Sequence, residues 1–183
     1  MIMSKGGCGC GRHGTIDLWK KKLPSFDGDV IDAKYAILHG QSHTPSQASA
    51  WKEVEALIAE FKNADKYVIS LPMWNFGIPY KLKHYIDILV QPGYTFQVSE
   101  KGYEGLIKGK KMLVIYSRGG AYGAEGGAQK LDMQKSYMDT VLPFIGFTHP
   151  LSIVIEPTLE GEEKKDQALR KTNDQALKTA AQF

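Results

Sequence analysis

The sequence predicts an α/β fold with a parallel sheet, and three observations carry that expectation. Short apolar runs rich in β-branched and aromatic residues recur at 67–71, 112–116 and 151–155. None shows the polar alternation of a half-exposed strand, which is how strands covered on both faces read. Between them lie stretches whose apolar residues repeat at helical spacing, and strands alternating with helices build βαβ units. The 183 residues amount to about one domain, long enough to bury an independent core.

Residues 1–14 are Gly-rich and carry Cys8, Cys10, Arg12 and His13. They read as a short flexible tail ahead of a folded domain at 15–183. Residues 15–19 alternate weakly, as a short strand would, and run into Lys20-Lys21-Lys22 and a loop through Pro24 and Gly28. The first well-marked helix begins at Thr44, an N-cap residue, with Pro45 at the first helical position and Gln47 completing a capping box. Trp51, Val54, Leu57, Ile58 and Phe61 form its apolar stripe, and Asn63 marks its end. The 67–71 strand is stopped by Pro72. Ile78-Pro79 opens a second helix with Leu82, Tyr85, Ile86 and Leu89 on one face, ending at Gln91-Pro92-Gly93. A short extended piece at 94–98 precedes the 112–116 strand. Tyr137, Met138, Val141, Leu142 and Ile145 form a third helical stripe, closed near Gly146. The 151–155 strand follows, and the polar stretch 159–182 reads as a surface helix.

Composition narrows the function. Hydrophobic residues at 43 % and charged residues at 23 % are ordinary for a globular protein. Lys+Arg minus Asp+Glu is 23 − 20 = +3, too small a surplus for nucleic acid to be the main partner. No apolar run reaches the ~18 residues of a membrane span, and the N-terminus has no apolar core of a signal peptide. Cys8 and Cys10 are too close for a relaxed disulfide. The expectation is a reduced, cytoplasmic protein without nucleic-acid or membrane partners.

In open parallel sheets ligands bind beyond the carboxyl ends of the strands. Two such ends carry unusual loops. After 67–71 comes Pro72-Met73-Trp74-Asn75-Phe76-Gly77, whose aromatics supply stacking surfaces and whose Asn75 supplies hydrogen bonds. A flat heterocycle with polar edges suits that set; the plainer alternative is a strand-to-helix connection whose aromatics cap the core. After 112–116 comes Ser117-Arg118-Gly119-Gly120, where paired glycines let backbone N–H groups approach a ligand. Here the alternative is an ordinary Gly-rich turn.

Pro72-Met73-Trp74-Asn75-Phe76 with Ile78-Pro79, Leu82-Lys83, Tyr85 and Asp87 resembles the FMN-dependent NADH-azoreductase family, flavodoxin-like NAD(P)H:quinone oxidoreductases. Thr95-Phe96, Glu100-Lys101-Gly102, Glu104-Gly105-Leu106, Gly109-Lys110, Ser117-Arg118-Gly119-Gly120 and Phe144-Ile145-Gly146-Phe147 continue the match, over about residues 14–160. The resemblance implies a flavodoxin-like parallel sheet with helices on both faces and a homodimer with one FMN per subunit. NADH or NADPH would donate electrons, and a quinone or azo compound would accept two of them. It places Met73, Trp74, Asn75 and Phe76 against the isoalloxazine ring and ribityl chain. Ser117, Arg118, Gly119 and Gly120 fall at the pyrimidine side, and Tyr122 where the family often has a His near the flavin. No side chain need act as nucleophile or metal ligand, because the flavin carries the chemistry.

One departure stands out. The family opens with a central strand, a Ser-containing loop that binds the FMN phosphate, and a helix. Nothing before Thr15 reads as that strand: Met1-Ile2-Met3 falls short of the usual five or six residues. The first strand and helix are therefore expected to be missing or replaced, leaving an unpaired edge beside 67–71. Two other classes of function stay open. One is a non-catalytic flavodoxin-like domain that has lost tight FMN binding. The other is a small thiol or metal protein using Cys8, Cys10 and His13, and residues 6–12 could alternatively form an anion-binding nest.

Overall fold

The computed structural model describes residues 2–5, 12–123 and 127–183. Its main sheet has five strands in the order β2-β1-β3-β6-β7. The three runs singled out by their composition become β3 (Lys66–Pro72), β6 (Lys111–Ser117) and β7 (Leu151–Ile155). They are adjacent and parallel, with Val68 opposite Leu113 and Ile115 opposite Ile153. Tyr67, Ile69, Leu71, Met112, Val114 and Tyr116 are buried in one core with Trp51, Val54, Leu57, Ile58 and Phe61.

Those last five lie on α2 (Pro45–Lys62), which opens with the expected capping box. Gln47 N donates to Thr44 Oγ1 at 3.2 Å, and Thr44 N donates to Gln47 Oε1 at 2.8 Å. The second stripe is α3 (Tyr80–Leu89), the third α4 (Met133–Ile145), and the tail helix α5 (Glu162–Gln182), which packs on β7. Residues 94–98 belong to a separate hairpin, β4 (Phe96–Ser99) with β5 (Gly102–Gly105).

Two expectations are corrected. First, strands do precede Thr15: β1 (Ile2–Lys5) and β2 (Arg12–Thr15) form an antiparallel pair, and β1 also pairs antiparallel with β3. Four residues suffice because partners on both sides supply the ladder; context outweighs intrinsic strand preference. The edge of β3 is thus covered at Lys66–Val68, whereas residues 69–72 have no ladder partner on that side among the described residues. Second, residues 16–19 leave the strand. Asp17 organises them as a turn, its side chain accepting from Trp19 N at 3.0 Å and its carbonyl from Lys21 N at 2.9 Å.

A helix not marked by the sequence, α1 (Gly28–Leu38), precedes α2. Its buried face is Val30, Ala33 and Ala36, too small to stand out as a stripe, while Ile31 and Tyr35 are exposed. Cys8, Cys10 and the rest of residues 6–11 lie outside the described residues. Among the described residues no helix is long and apolar enough to cross a membrane, and no His, Cys, Asp and Glu group could hold a metal.

Candidate functional site

The two unusual loops meet. Met73 N donates to Ser117 O at 2.9 Å, carrying the β3–β6 ladder one step past the strand ends. The nine residues expected at the site therefore gather at one end of two neighbouring parallel strands.

Beyond Met73 the chain makes a tight turn, with Trp74 and Gly77 exchanging N–H···O bonds of 3.0 Å in both directions. Its central residues have φ of 45° at Asn75 and 69° at Phe76, the left-handed pair of a type I′ turn. Asn tolerates that conformation, but a non-Gly residue such as Phe is held there at roughly 1–2 kcal/mol. The turn splits its aromatics. Trp74 lies 5.3 Å from Trp19 and 6.4 Å from Tyr80, ring centre to ring centre, whereas Phe76 meets Tyr122 edge-on at 6.2 Å. Trp19, Trp74, Phe76 and Tyr80 all remain substantially exposed, so apolar ring surface stands open at the strand ends.

In the second loop the backbone donors divide. Arg118 N donates to Ile155 O at 3.0 Å, Tyr122 N to Glu156 Oε2 at 3.0 Å and Gly123 N to Glu156 Oε1 at 2.9 Å. Ala121 N–H is bound to the Glu160 carboxylate, which Lys164 and this bond hold below the usual carboxylate range. The N–H groups of Gly119 and Gly120 have no partner among the described residues. They are donors available to a ligand with acceptors along one edge.

Arg118 contributes to the site through its backbone alone. Its side chain is 2 % exposed and turned inward, donating to Asp132 at 2.7 Å, Glu156 at 3.1 Å and Gln134 at 3.0 Å. The guanidinium braces the loop from beneath, and only the backbone of Arg118 stays with the surface of the site. Gln134 passes the connection on to β3, its Nε2 donating to Leu71 O at 3.4 Å.

On the outer edge of β3, where residues 69–72 lack a ladder partner, a cleft of about 360 Å³ opens. Thr15, Asp17, Trp19, Ser70 and Lys81 are among its lining residues. Lys81 has no ion pair among the described residues, while Asp17 is held by Trp19 N and faces Lys20 at 3.8 Å. Hydroxyl donors and an unpaired ammonium thus lie on one side of the aromatic turn, and the two glycine N–H groups on the other.

Sequence reasoning missed Trp19, Tyr80, Asp132, Gln134 and Glu156. Glu156 had a signal: it follows the third parallel strand directly, at the kind of strand end that singled out the other two loops. Asp132 had another, as the residue capping α4, where it accepts from Lys135 N at 2.8 Å. The large pKa shifts are in core phenols such as Tyr67, Tyr85 and Tyr116, raised chiefly by burial. The loops offer hydrogen bonds and ring surfaces rather than an acid–base pair, which suits a bound group that brings its own reactivity.

Residues 11–180 match a family model described as flavodoxin-like fold. The chain is 48 % identical over 170 residues to an FMN-dependent NADH:quinone oxidoreductase of Desulfotalea psychrophila, covering 92 % of this chain and 80 % of that protein. It is 46 % identical, again over 170 residues, to the protein of that name in Nitratidesulfovibrio vulgaris, covering 92 % and 81 %. Among solved structures it is similar to an azoreductase from Bacillus anthracis, with a TM-score of 0.83 at 33 % identity over 92 % of this chain and 80 % of that one. An FMN-dependent NADH-azoreductase from the same species, solved in complex with FMN, gives a TM-score of 0.77 at 29 % identity, covering 90 % and 79 %.

Proposed function

The chain belongs to the flavodoxin-like fold family, and on that basis we propose that it is an FMN-dependent NAD(P)H oxidoreductase that reduces quinones or azo compounds. The observation that carries the reading is the pair of unpartnered N–H groups at Gly119 and Gly120 beside the Met73–Phe76 turn.

The residues fit the cofactor end by end. Gly119 and Gly120 would donate to the acceptors on the pyrimidine edge of the flavin. Met73, Trp74, Asn75 and Phe76 would wall the ring and ribityl chain, with Tyr122 closing the far side against Phe76. Ser117 ties the two loops through its carbonyl, and Arg118 supports them from below. Thr15, Ser70 and Lys81 line the cleft where a phosphate would be neutralised. When bound, FMN supplies two-electron chemistry, taking a hydride from NADH or NADPH and passing reducing equivalents to the acceptor. The protein orients the ring and excludes water from one face with exposed aromatics. The reading carries with it a homodimer and a cytoplasmic setting.

Purified protein mixed with FMN, then with NADH and a benzoquinone, is the test. Bound flavin and flavin-dependent NADH oxidation are expected. No flavin binding would overturn the reading in favour of a non-catalytic domain, and a bound thiol-ligated metal would favour the Cys8 and Cys10 alternative.

A further inference from the structure

We propose that Glu156 is a positioning residue for the flavin, folding the 117–123 loop so that only Gly119 and Gly120 present their N–H groups outward. The inference rests on the flavin reading above.

Glu156 lies just past β7, yet its carboxylate binds a loop more than thirty residues earlier in the chain. Oε2 accepts from Arg118 Nη1 at 3.1 Å and Tyr122 N at 3.0 Å, and Oε1 accepts from Gly123 N at 2.9 Å. The carboxylate is 17 % exposed, so these bonds face little competition from water. Without an acceptor at this point, three donors would lose a partner. Two of them are backbone N–H groups adjoining the glycine pair, and the loop could no longer keep its present division of donors.

One close approach and one ordinary contact tie the loop to its surroundings. A Cβ on Gly123 would sit 2.9 Å from Glu156 Oε1, so a side chain there would push the carboxylate from its present position. A Cβ on Gly120 would lie 3.5 Å from the Tyr122 ring, which in turn packs on Phe76. Glu156 therefore fixes Tyr122 by its N–H, and Tyr122 connects the second loop to the aromatic turn. Glu156 touches no ligand atom in this scheme; it acts through Tyr122 and Gly123.

Asp132 supplies the control. It binds the same guanidinium at 2.7 Å but donates nothing to and accepts nothing from the loop backbone. Glu156→Gln and Asp132→Asn each remove one carboxylate from Arg118. Only the first removes an acceptor from the loop N–H groups, because the glutamine amide nitrogen cannot accept. Full-length variants are titrated with FMN and with riboflavin, and the visible spectrum of the bound flavin and the melting temperature are recorded for each. Glu156→Gln should weaken both flavins by the same factor, about tenfold, and alter the bound-flavin spectrum. Asp132→Asn should lower the melting temperature to a comparable extent, because it too takes a charge from the buried guanidinium, while costing clearly less flavin affinity than Glu156→Gln and leaving the bound-flavin spectrum unaltered. Gly123→Ala, which crowds the same carboxylate, should reproduce the effect of Glu156→Gln and serves where that variant does not fold. Equal flavin losses in the Glu156 and Asp132 variants, tracking their loss of stability, would reduce Glu156 to a structural residue and overturn the proposal. Absence of flavin binding in the parent protein would instead overturn the flavin reading itself.

Discussion

Replacing Phe76 by Gly should leave the fold about as stable as before while weakening flavin binding. Phe76 has φ of 69°, where a side chain costs about 1–2 kcal/mol that glycine does not incur. Against that relief stands the extra backbone freedom of glycine in the unfolded chain, about 0.5–1 kcal/mol. The lost edge-on contact with Tyr122 adds at most ~0.5–1.5 kcal/mol, and less here because Phe76 is 43 % exposed. The opposing contributions nearly cancel, so stability should change by no more than about 1 kcal/mol. A phenylalanine held in a core would instead cost roughly 3–5 kcal/mol on truncation. Phe76→Ala isolates the strain, because it removes the ring but keeps a Cβ at positive φ; it should be about 1 kcal/mol less stable than Phe76→Gly. Urea unfolding of the three proteins measures these differences, and fluorescence titration with FMN should show at least a tenfold loss in both variants. An alanine variant as stable as the glycine variant would refute the strain argument. Unchanged FMN affinity would refute the placement of the ring against the flavin.

Lys81→Gln should lower FMN affinity about tenfold, the value of one charge-assisted contact, and leave riboflavin unaffected in parallel titrations; equal losses would place the phosphate elsewhere. Gly119→Val should cost little stability, because its Cβ would meet Leu159 Cδ1 at 2.8 Å and that side chain, 84 % exposed, can move aside. If the same variant kept its FMN affinity, the glycine pair would be structural only. Gly105→Ala should lower the unfolding free energy by ~2 kcal/mol or more, read as a lower urea midpoint: its Cβ would fall 2.2 Å from Gly146 N and 2.5 Å from both Gly146 Cα and Ile145 C, all backbone atoms that cannot yield. A midpoint within 0.5 M of the parent would show that the hairpin can lift off α4.

What the sequence disclosed and what it hid follow from how each element is stabilised. The parallel strands and α2, α3 and α4 bury large residues at regular spacing, so Tyr67, Ile69, Trp51 and Met138 announce themselves by pattern alone. Helix α1 rests on Ala33 and Ala36, whose burial leaves no periodic trace. Strand β1 is decided by its neighbours on either side and has nothing of its own to display. At the site, the loops were legible because aromatics and paired glycines are unusual at strand ends. Their supports were not, because Asp132 and Gln134 at the start of α4 and Glu156 after β7 converge on Arg118 from two separate stretches of chain. Nothing local to Arg118 reveals the two carboxylates beneath it.

The two ends of the site depend on different parts of the molecule. On the proposed reading the ring end is built chiefly at the ends of β3, β6 and β7, with Trp19 and Tyr80 packed on Trp74. It is bound together by Met73 N to Ser117 O, by Gln134 to Leu71 O, and by Glu156 to the loop backbone. None of those bonds involves β1 or β2. The phosphate end is different. Its cleft is walled by Thr15 and the turn that follows β2 on one side, and by Ser70 and Lys81 on the other. Between these walls the ladder to β1 reaches only Val68. On the proposed reading, the described residues of this cleft offer a phosphate scattered side chains, and scattered donors lose more to side-chain entropy for each bond they make. On this arrangement ring recognition is the durable part of the site, and the preference for FMN over riboflavin is the property most exposed to how residues 2–19 are arranged.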